Sequence, residues 1–171
     1  MLSEKINNEM NKQINAEMFS SYLYLSMSGW FENLGLSGFA NWMRCQAKEE
    51  TFHAEKLYDF VYERGGNVEL EAIDKPESQW ESALHIFEEA LKHEQLISKM
   101  IDDLVDLAIT EKDHASNNFL QWYVAEQVEE EANAGAVVDR LKLIGSDSTG
   151  LFALDLEMGK RTYVEEGTQG Q

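Results

Sequence analysis

Along four long stretches of the chain, apolar residues recur at alternating spacings of three and four, the pattern of helices that each bury one stripe. The first stripe reads Met10, Gln13, Glu17, Ser20, Tyr24, Met27, Phe31, and the second Phe39, Met43, Gln46, Glu50, His53, Leu57, Phe60. The third reads Phe87, Ala90, Glu94, Ile97, Ile101, Leu104, Ala108, and the fourth Leu120, Tyr123, Gln127, Glu130, Ala134, Val137, Leu141. Punctuation residues divide the chain at the same places. Ser3 is a cap for a first helix running to about Asn33, and Ser37, in the Gly35-Leu36-Ser37-Gly38 turn, is the expected cap of the second. The second helix stops near Arg64, before Gly65-Gly66. Residues 66–80, which include Pro76, read as an irregular connection, and the Ser-x-x-Glu spacing of Ser78 and Glu81 predicts a third helix from there to about Thr110. Asp113 is the expected cap of a fourth helix reaching Ile144, and a short fifth helix is expected over about 149–161. Connections that run short, long, short predict an all-α four-helix bundle, 3–144, with one long crossover between the second and third helices. A single domain over 1–163 and a loose polar tail over 164–171 complete the expected organisation.

The stripes are apolar at their ends and interrupted in their middles. The interruptions are Glu17, Glu50, His53, Glu94, Gln127 and Glu130, and they repeat: Glu17 and Glu50 are 33 residues apart, as are Glu94 and Gln127. Glu50 to His53 and Gln127 to Glu130 are both steps of three, and each member of the first set precedes its counterpart by 77 residues. Two related helical hairpins thus present polar groups at one level of a core. Unpaired buried carboxylates cost several kcal/mol or take up protons. None of the four stripes holds a Lys or Arg to pair with them. Two divalent cations would cancel four carboxylates, with His53 as a neutral ligand. A Glu from each of two helices with Glu-x-x-His on the others is a di-iron carboxylate pattern; this chain carries one full Glu-x-x-His and one altered copy, Gln127-x-x-Glu130. By ligand chemistry alone the set suits iron, manganese or magnesium better than structural zinc. Tyr24, on the face of Glu17, reads either as a core tyrosine or as a hydrogen-bond donor or electron source beside the metals. Glu49, Glu126 and Glu129 read either as a solvated face or as a further acidic site, while His85, His93 and His114 read as surface histidines and Cys45 as a small core or interface residue.

Composition narrows the partners. Of 171 residues, 14 are Lys or Arg and 32 are Asp or Glu, a formal charge of −18. That balance argues against nucleic acid held by a basic surface and against docking on anionic membrane. A hydrophobic content of 43% is too high for an acidic disordered tail. One cysteine excludes an internal disulfide and any Cys-x-x-Cys metal knuckle. The first residues show no basic-then-apolar leader and no segment is apolar enough to span a bilayer, so the expected location is the cytoplasm. An acidic surplus also attracts cations.

At these positions the chain resembles the non-haem ferritins of bacteria and archaea, over about residues 1–163. The resemblance lies in Asn15-Ala16-Glu17, Ser21-Tyr22-Leu23-Tyr24, Gly38-Phe39-Ala40-Asn41-Trp42-Met43, Glu49-Glu50 with His53, Phe119-Leu120-Gln121-Trp122-Tyr123, and Glu126-Gln127-Val128-Glu129-Glu130-Glu131. It implies a ferritin-like fold and a ferroxidase centre that oxidises Fe(II) with dioxygen or hydrogen peroxide. By the same resemblance, Glu17, Glu50 and His53 hold one iron, Glu50 bridges, and Glu94 and Glu130 hold the second with Gln127 close by. Glu49, Glu126 and Glu129, sharing Glu130, resemble a third iron site, and Tyr24 and Trp122 match aromatics beside the centre. The resemblance further implies a shell of 24 identical subunits that stores ferric mineral, with the fifth helix at its four-fold axes. Bacterioferritins place a haem-ligating Met directly after the bridging Glu. Thr51 stands there instead, so no haem is expected. A bacterioferritin-like or peroxidase-type di-iron protein that stores no mineral is the alternative reading. A structural bundle whose buried carboxylates are simply protonated is the non-enzymatic one.

Overall fold

The computed structural model describes residues 1–164, and all regular structure among them is helical. Four long helices, α1 (Glu4–Asn33), α2 (Ser37–Glu63), α3 (Ala83–Thr110) and α4 (His114–Ile144), are followed by a short α5 (Ser148–Met158). At 27 to 31 residues, each long helix extends about 40–47 Å. The α1/α2 and α3/α4 hairpins pack together, α1 also meets α3, and α5 lies against α2 and α4. Apart from Val164, the expected polar tail lies outside the described residues. No helix among the described residues is long and apolar enough to cross a membrane.

Two of the expected caps are in place: Ser3 accepts from the Ile6 amide at 3.3 Å, and Asp113 accepts from Ser116 N at 3.1 Å. Gly145, with φ +58°, ends α4. Two helix starts differ from expectation, and each has a tertiary cause. Ser37 is the first residue of α2 and not its cap; Leu36 is the cap and carries no side-chain bond. The Phe39 amide, which an N-cap side chain would ordinarily satisfy, bonds instead to Asp155 Oδ1 of α5 at 2.9 Å. The Ser78/Glu81 pair forms no capping box. Glu77 Oε1 accepts from the Ser78 and Gln79 amides at 2.7 and 2.9 Å, and Trp80 is buried edge-on against Trp30. Helix α3 therefore starts four residues later, at Ala83, with Ser82 in place of Ser78 as its cap, accepting from His85 N at 3.1 Å. Helix α5 also ends earlier than expected, at Met158, and residues 159–163 turn back along α2.

The crossover between α2 and α3 climbs the outside of α1 on a row of asparagines at helical spacing. Asn7 and Asn11 both donate to Asn67 O at 3.0 Å, and Asn15 donates to Ala72 O at 3.2 Å. Near its far end the Ser26 hydroxyl donates to Glu77 O at 2.6 Å. These bonds satisfy backbone groups that the irregular segment cannot pair within itself.

The core falls into two apolar clusters separated by a polar level. One cluster holds Met27, Phe31, Phe39, Met43, Phe87 and Leu141 among others. The second holds Ile6, Met10, Leu57, Ile101, Leu104 and Leu120 among others. Between them, all four helices turn polar residues inward: Gln13, Glu17, Gln46, Glu50, His53, Glu94, Gln127 and Glu130 are all buried.

Candidate metal centre

Glu17 from the middle of α1 meets Glu50 and His53, one turn apart on α2. One ligand atom from each of the three lies within 4.8 Å of the others, and all three side chains are buried. His53 Nδ1 stands 3.5 Å from Glu50 Oε2. Its ring is fixed by edge contacts from Trp122 and Tyr123, and the Tyr123 hydroxyl donates to the His53 carbonyl at 2.7 Å. From the opposite hairpin, Glu94 of α3 and Glu130 of α4 enter the same level, each 5% exposed or less. They do not join the first trio within 4.8 Å, although both press electrostatically on Glu50.

Side-chain donors hold three of the four acids in place. Gln13 Nε2 donates to Glu17 Oε1 at 2.8 Å, and Gln46 Nε2 to Glu130 Oε2 at 2.7 Å. Gln127 Nε2 donates to Glu94 Oε2 at 3.1 Å, and the fully buried Tyr24 hydroxyl donates to Glu94 Oε1. Every one of these donors is neutral. Burial, followed by the neighbouring Glu50, therefore raises Glu17 to about 8. Burial, followed by Glu130, raises Glu94 to about 7, and burial with Glu94 and Glu130 pushes Glu50 well above the carboxylate range. Glu17 Oε2 and Glu50 Oε1 are buried with no hydrogen-bond partner. Orphaned buried acceptors are rare and call for an explanation. Two such oxygens and an imidazole, with no Lys or Arg in contact among the described residues, form a donor set that fits a divalent transition metal.

The acids expected at a third site are placed differently. Glu49 is half-buried and accepts from Arg161 Nη2 at 2.6 Å, Glu126 is half-buried, and Glu129 is exposed. Among the described residues these three form no group with mutually close ligand atoms. Burial raises Glu49 to about 7 even against the lowering effect of Arg161.

His93 is half-buried and not a plain surface residue. Its Nε2 lies 2.7 Å from Ser20 Oγ, its ring packs against Phe19 and Tyr24, and burial lowers it to about 4. His85 is half-buried, with Nδ1 accepting from the Glu81 amide at 3.3 Å, while His114 is exposed and Cys45 is buried. Sequence reasoning did not assign roles to Gln13 and Gln46; Gln13 carried a signal, standing four residues before the stripe glutamate it serves, whereas Gln46 serves Glu130 on another helix. Arg161 carried no such signal, because its partner Glu49 is 112 residues away.

A Ferritin-like domain model matches residues 7–144. The chain is 47% identical to a bacterial non-heme ferritin of Bacteroides fragilis over 161 residues, which is 94% of this chain and all of that protein. It is 44% identical to one from Campylobacter jejuni, over 91% of this chain and 93% of the relative. Among solved structures, a closed form of Archaeoglobus fulgidus ferritin engineered by site-directed mutagenesis superposes with a TM-score of 0.95 at 52% identity, over 96% of this chain and all of that one. The open-pore ferritin of the same archaeon superposes with a TM-score of 0.94 at 53% identity, over 95% of this chain and all of that one. With the polar level of its four-helix bundle, a family match over most of its length and near end-to-end similarity to these proteins, the chain belongs to the ferritin family.

Proposed function

We propose that this protein stores iron and oxidises it as it does so, acting as a ferroxidase on Fe(II) with dioxygen as electron acceptor. The observation that carries this reading is the buried Glu17, Glu50 and His53 group, which among the described residues has two orphaned carboxylate oxygens and no Lys or Arg to neutralise it. Iron is the substrate. Glu17, Glu50 and His53 would take one Fe(II), and Glu50, Glu94 and Glu130, with Gln127 beside them, a second. Binding ionises the carboxylates and releases their protons. The loss of one electron from each of two Fe(II), with two protons, would convert one dioxygen to hydrogen peroxide. The residues contribute fixed positions and negative charge that favours Fe(III) over Fe(II). Gln13, Gln46 and Tyr24 hold the carboxylates in place. The family resemblance supports deposition of the ferric product inside a shell of 24 subunits. The acidic surplus would draw cations to it.

Anaerobic Fe(II) titration followed by exposure to oxygen tests the proposal. Tight binding of two Fe(II) per chain and fast oxidation are expected. Glu50→Ala and His53→Ala are expected to slow oxidation by at least about tenfold, since losing a residue that only supports a ligand already costs about that much. Unchanged oxidation rates in both variants refute the assignment. A particle sized as a monomer or dimer refutes the storage shell.

A further inference from the structure

Both acids of the second hairpin are held by donors from the first. Tyr24 of α1 donates to Glu94 of α3, and Gln46 of α2 donates to Glu130 of α4 at 2.7 Å. Gln46 is fully buried and stands one helical turn before Glu50 on the same face of α2. Met43, the preceding residue of that stripe, already belongs to an apolar cluster, so the Gln46 amide closes the polar level on that side. Gln13 and Gln46 are 33 residues apart, the interval of Glu17 and Glu50, yet 77 residues further on stand Ala90 and Tyr123. The second hairpin therefore has no amide at these positions. Gln13 serves Glu17 on its own helix, whereas Gln46 bonds across to the other hairpin.

Gln46 holds this place at a cost. Its Nε2 is committed to Glu130, but its Oε1 is buried without a hydrogen-bond partner. An unsatisfied buried carbonyl disfavours the fold, and a methionine would fill such a space without that cost. Natural chains keep a group of this kind mainly where it serves a site. The group it serves is Glu130. Glu94 has two side-chain donors, Tyr24 and Gln127, whereas Gln46 is the one side chain among the described residues that donates to Glu130. The last torsion of a glutamate is broad, so a carboxylate with a single donor owes its orientation to that donor.

We propose that Gln46 is a positioning residue that sets the affinity of the second metal ion through Glu130, independently of the first ion at Glu17, Glu50 and His53. The inference rests on the metal-centre reading of these acids. A carboxylate oriented in advance loses less freedom when an ion arrives, and partners that orient ligands account for about tenfold to hundredfold in metal affinity. The first trio does not depend on Gln46, because its ligand atoms already converge and Glu17 is held by Gln13. Gln46 thus acts on the second ion without being its ligand.

The test is stepwise calorimetric titration of the full-length, metal-free protein with Zn(II), which is redox-inert. The step lost in Glu17→Gln identifies the first ion, and the step lost in Glu130→Ala the second. Gln46→Met is expected to weaken the second step by about tenfold to hundredfold and to leave the first unchanged. If Gln46→Met does not fold, Gln46→Asn, which keeps the amide but draws its N–H back from Glu130, is expected to do the same. Met43→Ala, which removes a buried side chain from the same stretch of α2 but no donor to Glu130, is expected to leave the second step in place. A second step unchanged in a folded Gln46 variant, both steps weakened alike, or an equal loss in Met43→Ala overturns the inference and leaves the metal centre intact. Wild type that takes up no Zn(II), or a titration that neither Glu17→Gln nor Glu130→Ala alters, overturns the metal-centre reading and the inference with it.

Discussion

Glu17→Gln tests whether the centre stores unfavourable energy when it is empty of metal. The unfolded chain releases the Glu17 proton near 4.5, whereas the folded protein keeps it to about 8, chiefly because of burial. Between those values the folded state binds the extra proton, so stability is fullest below the lower value and falls as pH rises through the window. At pH 7 the mismatch costs on the order of 3 kcal/mol, at about 1.4 kcal/mol per unit, and at pH 5 less than about 1 kcal/mol. Glutamine copies the shape of the protonated acid, and its carbonyl can still accept from Gln13, so the variant escapes the cost. Metal-free Glu17→Gln is therefore expected to melt about 6–12 °C above metal-free wild type at pH 7 for a chain of this size, with most of the gap gone at pH 5. The assay is thermal unfolding by circular dichroism in chelator, at one protein concentration because assembly affects the midpoint. Added Zn(II) should reverse the order, since the variant has lost a ligand. Equal midpoints at pH 7, or a gap that does not shrink at pH 5, would refute the account of Glu17 as a buried acid awaiting a cation.

Divalent metal at about a hundred times its dissociation constant should stabilise the wild type by about 2.7 kcal/mol, read as a rise in melting temperature; no rise would show that folding and metal are not linked. Gly38→Ala should be severe, because a Cβ there would sit 1.7 Å from the Asp155 carbonyl oxygen and force α5 off α2. A loss of about 3 kcal/mol or more is expected by denaturant unfolding, together with faster proteolysis after residue 145. Asp113→Ala removes the α4 cap and the bidentate partner of Arg64, whose Nη2 lies 3.1 Å from both carboxylate oxygens, and should cost about 1–2 kcal/mol in the same assay. Tyr24→Phe leaves Glu94 Oε1 without its donor, which should cost about 1–3 kcal/mol and weaken metal binding, measured by calorimetry.

The stripes were legible because burial of one helix face imposes a periodicity that one chain displays unaided. The same periodicity exposed Glu17, Glu50, His53, Glu94, Gln127 and Glu130 as departures from it, and the structure places all six at one buried level. A polar residue on an apolar stripe must lie in the core, whatever its partner. Gln46 was visible as a residue but not as a donor, since it reaches across to Glu130 on another helix and not along its own.

The sequence by itself determined the four long helices, the long crossover and the depth of the acids, because each follows from local periodicity, turn chemistry or repeat spacing. Only the tertiary structure decided what each group meets. Helix α2 starts at Ser37 because Asp155 arrives from α5, and α3 starts late because Trp80 is drawn onto Trp30. Glu49 stands against Arg161, and His93 against Ser20, because segments distant in the chain are brought together by packing. Helical period is a property of neighbours in sequence, whereas charge pairing and desolvation depend on which faces come into contact, and that is settled only when the bundle closes.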